Sequence, residues 1–142
     1  MVLEKNGQLK LVVSGIKNPF GLALDENNNN LFVASNTAGE IYKVSNGKKA
    51  LFAKIPGGVS YIDYSIKTKC LYITCFTCHN IYKISKEGKL TLLSGKGTAG
   101  YKDGVWSEAE FDGPNSIVLS ESGNLFISEF KSNRIRKINK VE

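Results

Sequence analysis

One pattern occurs three times in the chain, and this repetition constrains the fold more than any other feature. The copies are residues 31–45 (LFVASNTAGEIYKVS), 71–85 (LYITCFTCHNIYKIS) and 125–139 (LFISEFKSNRIRKIN). Each starts with an aliphatic–aromatic pair, continues through a polar turn and ends on Ile-X-Lys-(Val/Ile). The spacing from the first Leu to that Ile is ten residues in every copy. A constant spacing around a variable turn indicates a structural repeat, and the β-branched and aromatic content predicts two strands per copy.

Two further strands complete each repeat. Residues 6–15 (NGQLKLVVSG) have apolar side chains at every second position, and similar segments follow at 46–54 and 87–95. A short apolar run lies between each such segment and the next strand pair, at residues 21–25, 61–65 and 116–120. With the strands named a, b, c and d, the order along the chain is d, abc d, abc d, abc.

Repeats of about 40 residues with four antiparallel strands are typical of propeller blades. We therefore predict an all-β fold: β-propeller blades of four antiparallel strands, three blades per chain. Alternate residues of the b strands should be buried between blades: Leu31, Val33, Leu71, Ile73, Leu125 and Ile127. Phe32, Tyr72 and Phe126 should pack on the opposite sheet face, against the neighbouring blade. The whole chain, residues 1–142, forms one domain in this interpretation. It comprises a closing strand at 6–15, blades at about 18–54, 56–95 and 113–139, and an insert at 96–112.

A longer motif surrounds the insert: GxxGYxDGxxxxAxFxxP, an apolar strand, then SGNLFISE and SNRIRKI. This motif resembles the NHL-repeat family of β-propellers. The matching residues are Gly97, Gly100, Tyr101, Asp103, Gly104, Ala109, Phe111, Pro114, Gly123, Asn124, Asn133, Arg134, Ile135 and Ile138. The likeness is looser over the first two repeats, where Val59 replaces the proline. The family often has Asp near the end of strand b, where this chain has Ser35, Cys75 and Glu129.

Three blades are too few for an ordinary closed ring, which has four to eight. The chain is therefore a piece of a larger propeller, or two chains supply three blades each. The strand order favours a homodimer, because a spare d strand at one end complements a vacancy at the other. In that arrangement residues 9–13 of one chain complete the last blade of its partner. A six-bladed ring then has no open edge.

Composition and charge narrow the class of protein. No apolar run approaches the ~20 residues of a membrane helix, and the first ten residues lack the apolar core of a secretory signal. We therefore expect a cytoplasmic protein with no membrane partner. The net charge of +6 favours acidic partners or nucleic acid only weakly, since a lysine-rich solvated surface gives the same value.

Two motifs mimic cofactor sites. Residues 95–100 (GKGTAG) fit GxGxxG, but residues 102–104 break the helix that a dinucleotide site needs. Residues 75–79 (CFTCH) fit a haem-attachment pattern, but the chain has one histidine and one methionine and no export signal. A repeat turn explains these residues, and we expect no cofactor.

The cysteines leave two alternatives open. Cys70 and Cys75 bracket strand b and lie roughly 16 Å apart in an extended strand, whereas two sulfurs on one zinc are at most about 4.6 Å apart. A zinc site using all of Cys70, Cys75, Cys78 and His79 is excluded. Cys75 and Cys78 face each other across a hairpin, where a disulfide or half of a zinc site shared between chains would fit. Without an export signal, reduced thiols are the simpler expectation.

The candidate ligand-binding residues are Asn115, Glu129, Arg134 and Arg136. Glu129, with Asp112 and Asn115, offers oxygen ligands suited to calcium or magnesium at the mouth of the axial channel. Propellers related in architecture include lactonases with a cation site of this type. The simpler interpretation is that these residues hold turns and strand ends, so we predict no metal ligands and no catalytic residues.

Basic residues also recur, with Lys43, Lys83 and Lys137 at one repeat position. Together with Arg134 and Arg136 they suit RNA, which some NHL propellers bind. A lysine that lies along its blade explains them equally well. We predict a non-enzymatic binding or scaffold module that recognises a protein or peptide on a loop face. The alternatives are a metal-dependent lactonase-type hydrolase and an RNA-binding propeller.

Overall fold

The computed structural model describes residues 2–3 and 7–141, and this part of the chain is built from β-strands. The strands are β1 (Val2–Leu3), β2 (Leu9–Lys10), β3 (Pro19–Asp25), β4 (Asn30–Ser35), β5 (Glu40–Ser45), β6 (Lys48–Lys54), β7 (Val59–Ser65), β8 (Cys70–Cys75), β9 (Asn80–Ile84), β10 (Leu90–Ser94), β11 (Pro114–Leu119), β12 (Leu125–Glu129) and β13 (Arg134–Ile138). A single 3-10 turn, Glu26–Asn28, is the only helical element among the described residues.

The three repeats form three separate antiparallel sheets. Blade 1 has the order β3-β4-β5-β6, blade 2 β7-β8-β9-β10, and blade 3 β11-β12-β13. Strands a, b, c and d of the sequence therefore occupy successive positions in each sheet, and blade 3 ends after strand c. The all-β class and the propeller blades are confirmed.

Two apolar layers hold the blades together, one between blades 1 and 2 and one between blades 2 and 3. The b strands supply their centre, because alternate residues of a strand point to opposite faces. Val33, Leu71, Ile73, Leu125 and Ile127 are buried as expected. Leu31 is only half-buried, since it faces the end of the stack, where no other blade of the described residues packs against blade 1.

Gly21 permits the close approach of the first strands of blades 1 and 2. A Cβ at this position would lie 2.6 Å from the carbonyl oxygen of Ser60 and 2.9 Å from Cα of Tyr61. The obstacles are backbone atoms, which cannot move aside without displacing β7. A side chain here would therefore separate the two blades.

The aromatic residues that follow the first Leu of each repeat show where the stack ends. Phe32 and Tyr72 are 4% and 0% exposed, because each packs against the next blade. We expected Phe126 to be packed in the same way, but it is 41% exposed. Its sheet face is the last in the described stack, and no further blade of the described residues packs against it.

The predicted closing strand is shorter than expected. Within residues 6–15 only Leu9–Lys10 is a strand; it pairs with β1 through Val2↔Lys10 and Leu3↔Leu9, and residue 6 lies outside the described residues. Residues 11–14 run without sheet partners past the open face of blade 1, beside Leu22 and Leu31. None of the helical residues described forms a segment long and apolar enough to cross a membrane.

Candidate functional site

One end of the three blades carries the b–c hairpins and the loops that lead into each a strand; we call it the hairpin face. The same backbone hydrogen bond builds it in every blade, because the first residue after strand b donates to the residue just before strand a. The bonds are Asn36 N to Asn18 O (3.0 Å), Phe76 N to Gly58 O (3.1 Å) and Phe130 N to Gly113 O (2.9 Å). The repeat thus fixes three hairpins in equivalent positions.

Further hydrogen bonds join neighbouring blades across this face. The side-chain amide of Asn36 in blade 1 donates to the carbonyl of Val59 in blade 2 at 2.6 Å. His79 in blade 2 accepts at Nδ1 from the backbone N–H of Gly113 at 3.3 Å, with a carboxylate oxygen of Asp112 3.8 Å from the same nitrogen. Because Nδ1 is used as an acceptor, His79 is a structural link in this arrangement.

Glu129, the carboxylate most suited to metal or acid–base chemistry, is occupied by protein partners. It ends β12, its side chain is fully buried, and Oε1 accepts from Arg136 Nη1 at 3.0 Å. The hydroxyl of Ser132 donates to its other oxygen. No cluster of three or more His, Cys, Asp or Glu side chains that could hold a metal occurs in residues 2–3 and 7–141.

Arg136 anchors the insert to blade 3. Nη1 also donates to the carbonyl of Glu110 at 2.9 Å, and Nη2 donates to the carbonyl of Lys102 at 3.1 Å and to the carboxylate of Asp103. The guanidinium lies 5.1 Å from the centre of the Phe111 ring. The guanidinium donors of Arg136 are thus directed at Glu129 and at the insert.

The side chains of the other two candidate residues make contacts outside this network. The exposed guanidinium of Arg134 stacks on Tyr101 at 4.2 Å and donates to the carbonyl of Ser132 at 3.3 Å. Asn115 is half-buried at the start of β11, and its backbone carbonyl accepts from Thr74 Oγ1 at 2.5 Å. Of the four candidate residues, Glu129 and Arg136 form a side-chain ion pair, and Arg134 lies directly opposite Glu129 in the β12–β13 register.

Two of the three repeated lysines, Lys83 and Lys137, lie against aromatic rings of their own blades. The ammonium of Lys83 is 5.5 Å from the Tyr72 ring centre, and that of Lys137 is 5.8 Å from the Phe126 ring centre. Each pair sits directly opposite in the b–c register. This cross-strand contact accounts for the recurrence of lysine and leaves the ammonium groups distributed over separate blades.

Cys75 and Cys78 form a disulfide across the blade 2 hairpin, and Cys70 is a buried free thiol. The expectation of three reduced thiols is therefore wrong for this pair. The hairpin turn, in which His79 has φ = 53°, places the two Cα atoms 5.4 Å apart. That separation lies within the range that a disulfide spans.

Sequence reasoning missed an aromatic cluster on the hairpin face. The rings of Phe76 and Phe130 lie 6.2 Å apart, and the ammonium of Lys131 is 5.3 Å from the centre of the Phe76 ring. Phe130 is 69% exposed although it is large and apolar. The available signal was the phenylalanine directly after strand b in two of the three repeats, where the first repeat has Asn36.

Gly113 packs closely against this cluster. It has φ = 62°, and a Cβ there would lie 3.0 Å from the Phe76 ring and 3.1 Å from the Lys131 side chain. Since Gly113 also holds the hydrogen bonds to Phe130 and His79, the cluster rests on a defined backbone position rather than on a free loop.

Comparisons with known proteins show the fold and no more. No family model matches the chain. It is 33% identical over 69 residues to Protein SUPPRESSOR OF QUENCHING 1, chloroplastic, of Arabidopsis thaliana, a match that covers 48% of this chain and 6% of that protein.

Solved structures align over most of the chain. A Bacteroides thetaiotaomicron protein of unknown function has a TM-score of 0.75 at 23% identity over 85% of this chain, and an auxiliary nutrient binding protein of the same bacterium has 0.68 at 17% over 84%. A gluconolactonase of Xanthomonas campestris has 0.67 at 13% over 83%. The chain spans 33%, 33% and 37% of their lengths. The class that the fold defines is thus the β-propeller, present here as three blades.

Proposed function

We propose that the chain is a non-enzymatic binding module, made of NHL-type blades, which recognises a protein or peptide segment on its hairpin face. The observation that carries this proposal is the cluster of Phe76, Phe130 and Lys131. An exposed aromatic ring beside a second ring and a cation, on a rigid hairpin, is the composition of a binding hot spot. The matching ligand is a peptide with an apolar side chain next to a carboxylate.

The neighbouring chemistry supports binding over catalysis. The carboxylate of Glu129 is buried against Arg136, and Nδ1 of the single histidine accepts a backbone hydrogen bond. A lactonase-type mechanism needs a carboxylate free to bind a cation or move a proton at the channel mouth. Structural neighbours include both an enzyme and a nutrient-binding protein, so the site, rather than the fold, decides the proposal.

Selection of a random peptide display library on the immobilised protein tests the proposal. Selected peptides should share an apolar and an acidic position, and Phe130→Ala should weaken their affinity about tenfold or more, since a buried phenylalanine contributes about 1.5–3 kcal/mol. Lys131→Ala should weaken acidic peptides specifically. Tyr101→Ala, which removes another exposed aromatic residue away from the cluster, is the matched control and should leave the affinity unchanged.

The alternatives give different results in the same preparation. Hydrolysis of simple lactones that is lost in Glu129→Gln would establish the enzyme instead. Retention on single-stranded RNA that falls with salt and is lost in Arg134→Ala would establish RNA binding. Failure of any peptide to be enriched, or equal losses from Phe130→Ala and Tyr101→Ala, would contradict the proposed site.

A further inference from the structure

The outer edge of β13 lacks the strand that both other blades have at this place. β6 and β10 are the fourth strands of blades 1 and 2, whereas the described part of blade 3 ends with β13. A groove of about 610 Å³ lies beside this edge, lined among others by Tyr101, Trp106, Phe111, Arg134, Ile135 and Lys137. We propose that this edge is a strand-docking site for residues 9–13 of a second copy of the chain, so that two chains close one six-bladed ring.

The proposed occupant has the sequence of a fourth strand. Residues 9–13 follow Gly7 at the same distance at which β6 and β10 residues follow Gly47 and Gly88. In the structure Leu9 and Leu11 are 67% and 76% exposed, whereas Leu51 and Leu92, the repeat equivalents of Leu11 in the paired strands β6 and β10, are 58% and 50% exposed. The only strand pairing of residues 9–13 in the described chain is the two-residue ladder with β1, which is too short to be stable alone in water and is readily displaced.

The two complete blades fix the register of docking. Lys43 pairs with Ala50 in blade 1, and Lys83 pairs with Thr91 in blade 2. Transferred by repeat position, these pairs place Lys137 opposite Lys10 of the second copy. The same transfer places Arg136 opposite Leu11 and Ile135 opposite Val13.

The two end faces of the stack expose apolar residues whose repeat equivalents inside the stack are buried. Ile41 and Ile81 are both 0% exposed, whereas Ile135, at the same repeat position, is 72% exposed. On the opposite end face Leu22 is 59% exposed, whereas its equivalents Ile62 and Ile117 are both 4% exposed.

These end faces correspond to the two sides of one blade–blade interface. The face with Ile135 and Phe126 would pack against the face with Leu22 and Leu24 of another copy. The equivalent faces of blades 1 and 2 pack against each other in this way within the chain. A two-fold axis makes both such interfaces at once and leaves no open face. The three described blades cannot close a ring by themselves, because a ring requires at least four.

Cysteine cross-linking tests the occupant and the register together. Lys10→Cys and Lys137→Cys proteins, mixed and gently oxidised, should give a disulfide-linked species of twice 15.6 kDa, since directly opposed strand residues lie within disulfide range. Leu11→Cys with Lys137→Cys is the matched control, because a shift of one residue puts the two side chains on opposite faces. Its cross-linking should be at least tenfold slower.

Light scattering supplies the independent measurement. The intact chain should be a dimer, and a variant lacking residues 1–15 should be a folded monomer by circular dichroism or should lose stability. A monodisperse monomer of the intact chain, a deletion variant that stays dimeric, or equal cross-linking of the two cysteine mixtures would overturn the proposal. Peptide binding at Phe130 is measured in a separate experiment, so a negative result for the dimer does not contradict the proposed binding function.

Discussion

Arg136 Nη1 lies 3.0 Å from Glu129 Oε1, and the two side chains are 11% and 0% exposed. An ion pair so far from water contributes little net stability, but removing one partner leaves an uncompensated buried charge. Since the same guanidinium binds backbone carbonyls of the insert, this contact joins blade 3 to residues 102–110.

Replacement of Arg136 by alanine should therefore lower the free energy of unfolding by about 3–5 kcal/mol. Arg134→Ala is the matched control: its guanidinium is exposed, stacks on Tyr101 and donates to the carbonyl of Ser132, so the loss should stay below about 1 kcal/mol. Urea titration followed by circular dichroism compares the two. Similar losses for both arginines would show that the Glu129 contact does not hold the insert.

The repeat predicted the strands well, because the spacing within one repeat and the residue types of each strand are local properties of the sequence. The constant spacing of the repeat and its β-branched and aromatic residues placed the b and c strands to within a residue or two. Blade number and strand order along each sheet followed from the same pattern.

The site was harder to predict, because it depends on contacts between distant residues. Glu129 was identified as a candidate ligand, but its burial against Arg136 depends on how the insert folds back over β13. Phe126 was expected to be buried because its repeat equivalents are. Whether another blade covers it is a property of the assembly, which local sequence does not encode. The Phe76–Phe130 contact joins two blades, and no single repeat reveals it.

Truncation of Ile127 tests the layer between blades 2 and 3. The side chain is completely buried among Tyr72, Leu125 and their neighbours, so Ile127→Ala should cost about 2–5 kcal/mol through lost burial and the cavity left behind. Ile66→Ala makes the same chemical change at a 45% exposed turn position and should cost under about 1 kcal/mol. Thermal melts of both variants measure these losses. A change of less than about 0.5 kcal/mol for Ile127→Ala would show that the strand register is wrong.

Asp25 should make stability depend on pH in the acid range. Burial raises the pKa of this carboxyl, but hydrogen bonds from Asn28, Asn30 and Tyr64 outweigh burial and hold the pKa below its ordinary value of 3.8; the Asn28 and Asn30 amides lie 2.8 and 3.4 Å from Oδ2. The folded state therefore binds the proton less tightly than the unfolded chain. The resulting stability is fully present above pH of about 4 and is lost as the pH falls through the folded pKa.

Asp25→Asn removes this dependence while keeping the size of the side chain. Wild type should be the more stable protein at pH 7, and the difference between the two should shrink steadily between about pH 4 and pH 2. Urea midpoints measured at several pH values give this difference directly. A constant difference across that range would mean that the carboxylate makes no favourable contact in the folded state.

The disulfide of the blade 2 hairpin should stabilise the fold by a modest amount. Cys75 and Cys78 are three residues apart, and a bridge that closes so short a loop restricts the unfolded chain by only roughly 1–2 kcal/mol. Dithiothreitol should lower the free energy of unfolding of the wild type by that amount, and with it the urea midpoint, and should leave a Cys75→Ala, Cys78→Ala variant unchanged. Gly57 packs over the bridge, with a Cβ there 2.8 Å from the Cys75 sulfur, so Gly57→Ala should also destabilise the oxidised protein. A midpoint insensitive to reductant, or stoichiometric zinc in the purified protein, would show that these cysteines serve as thiols or as metal ligands instead.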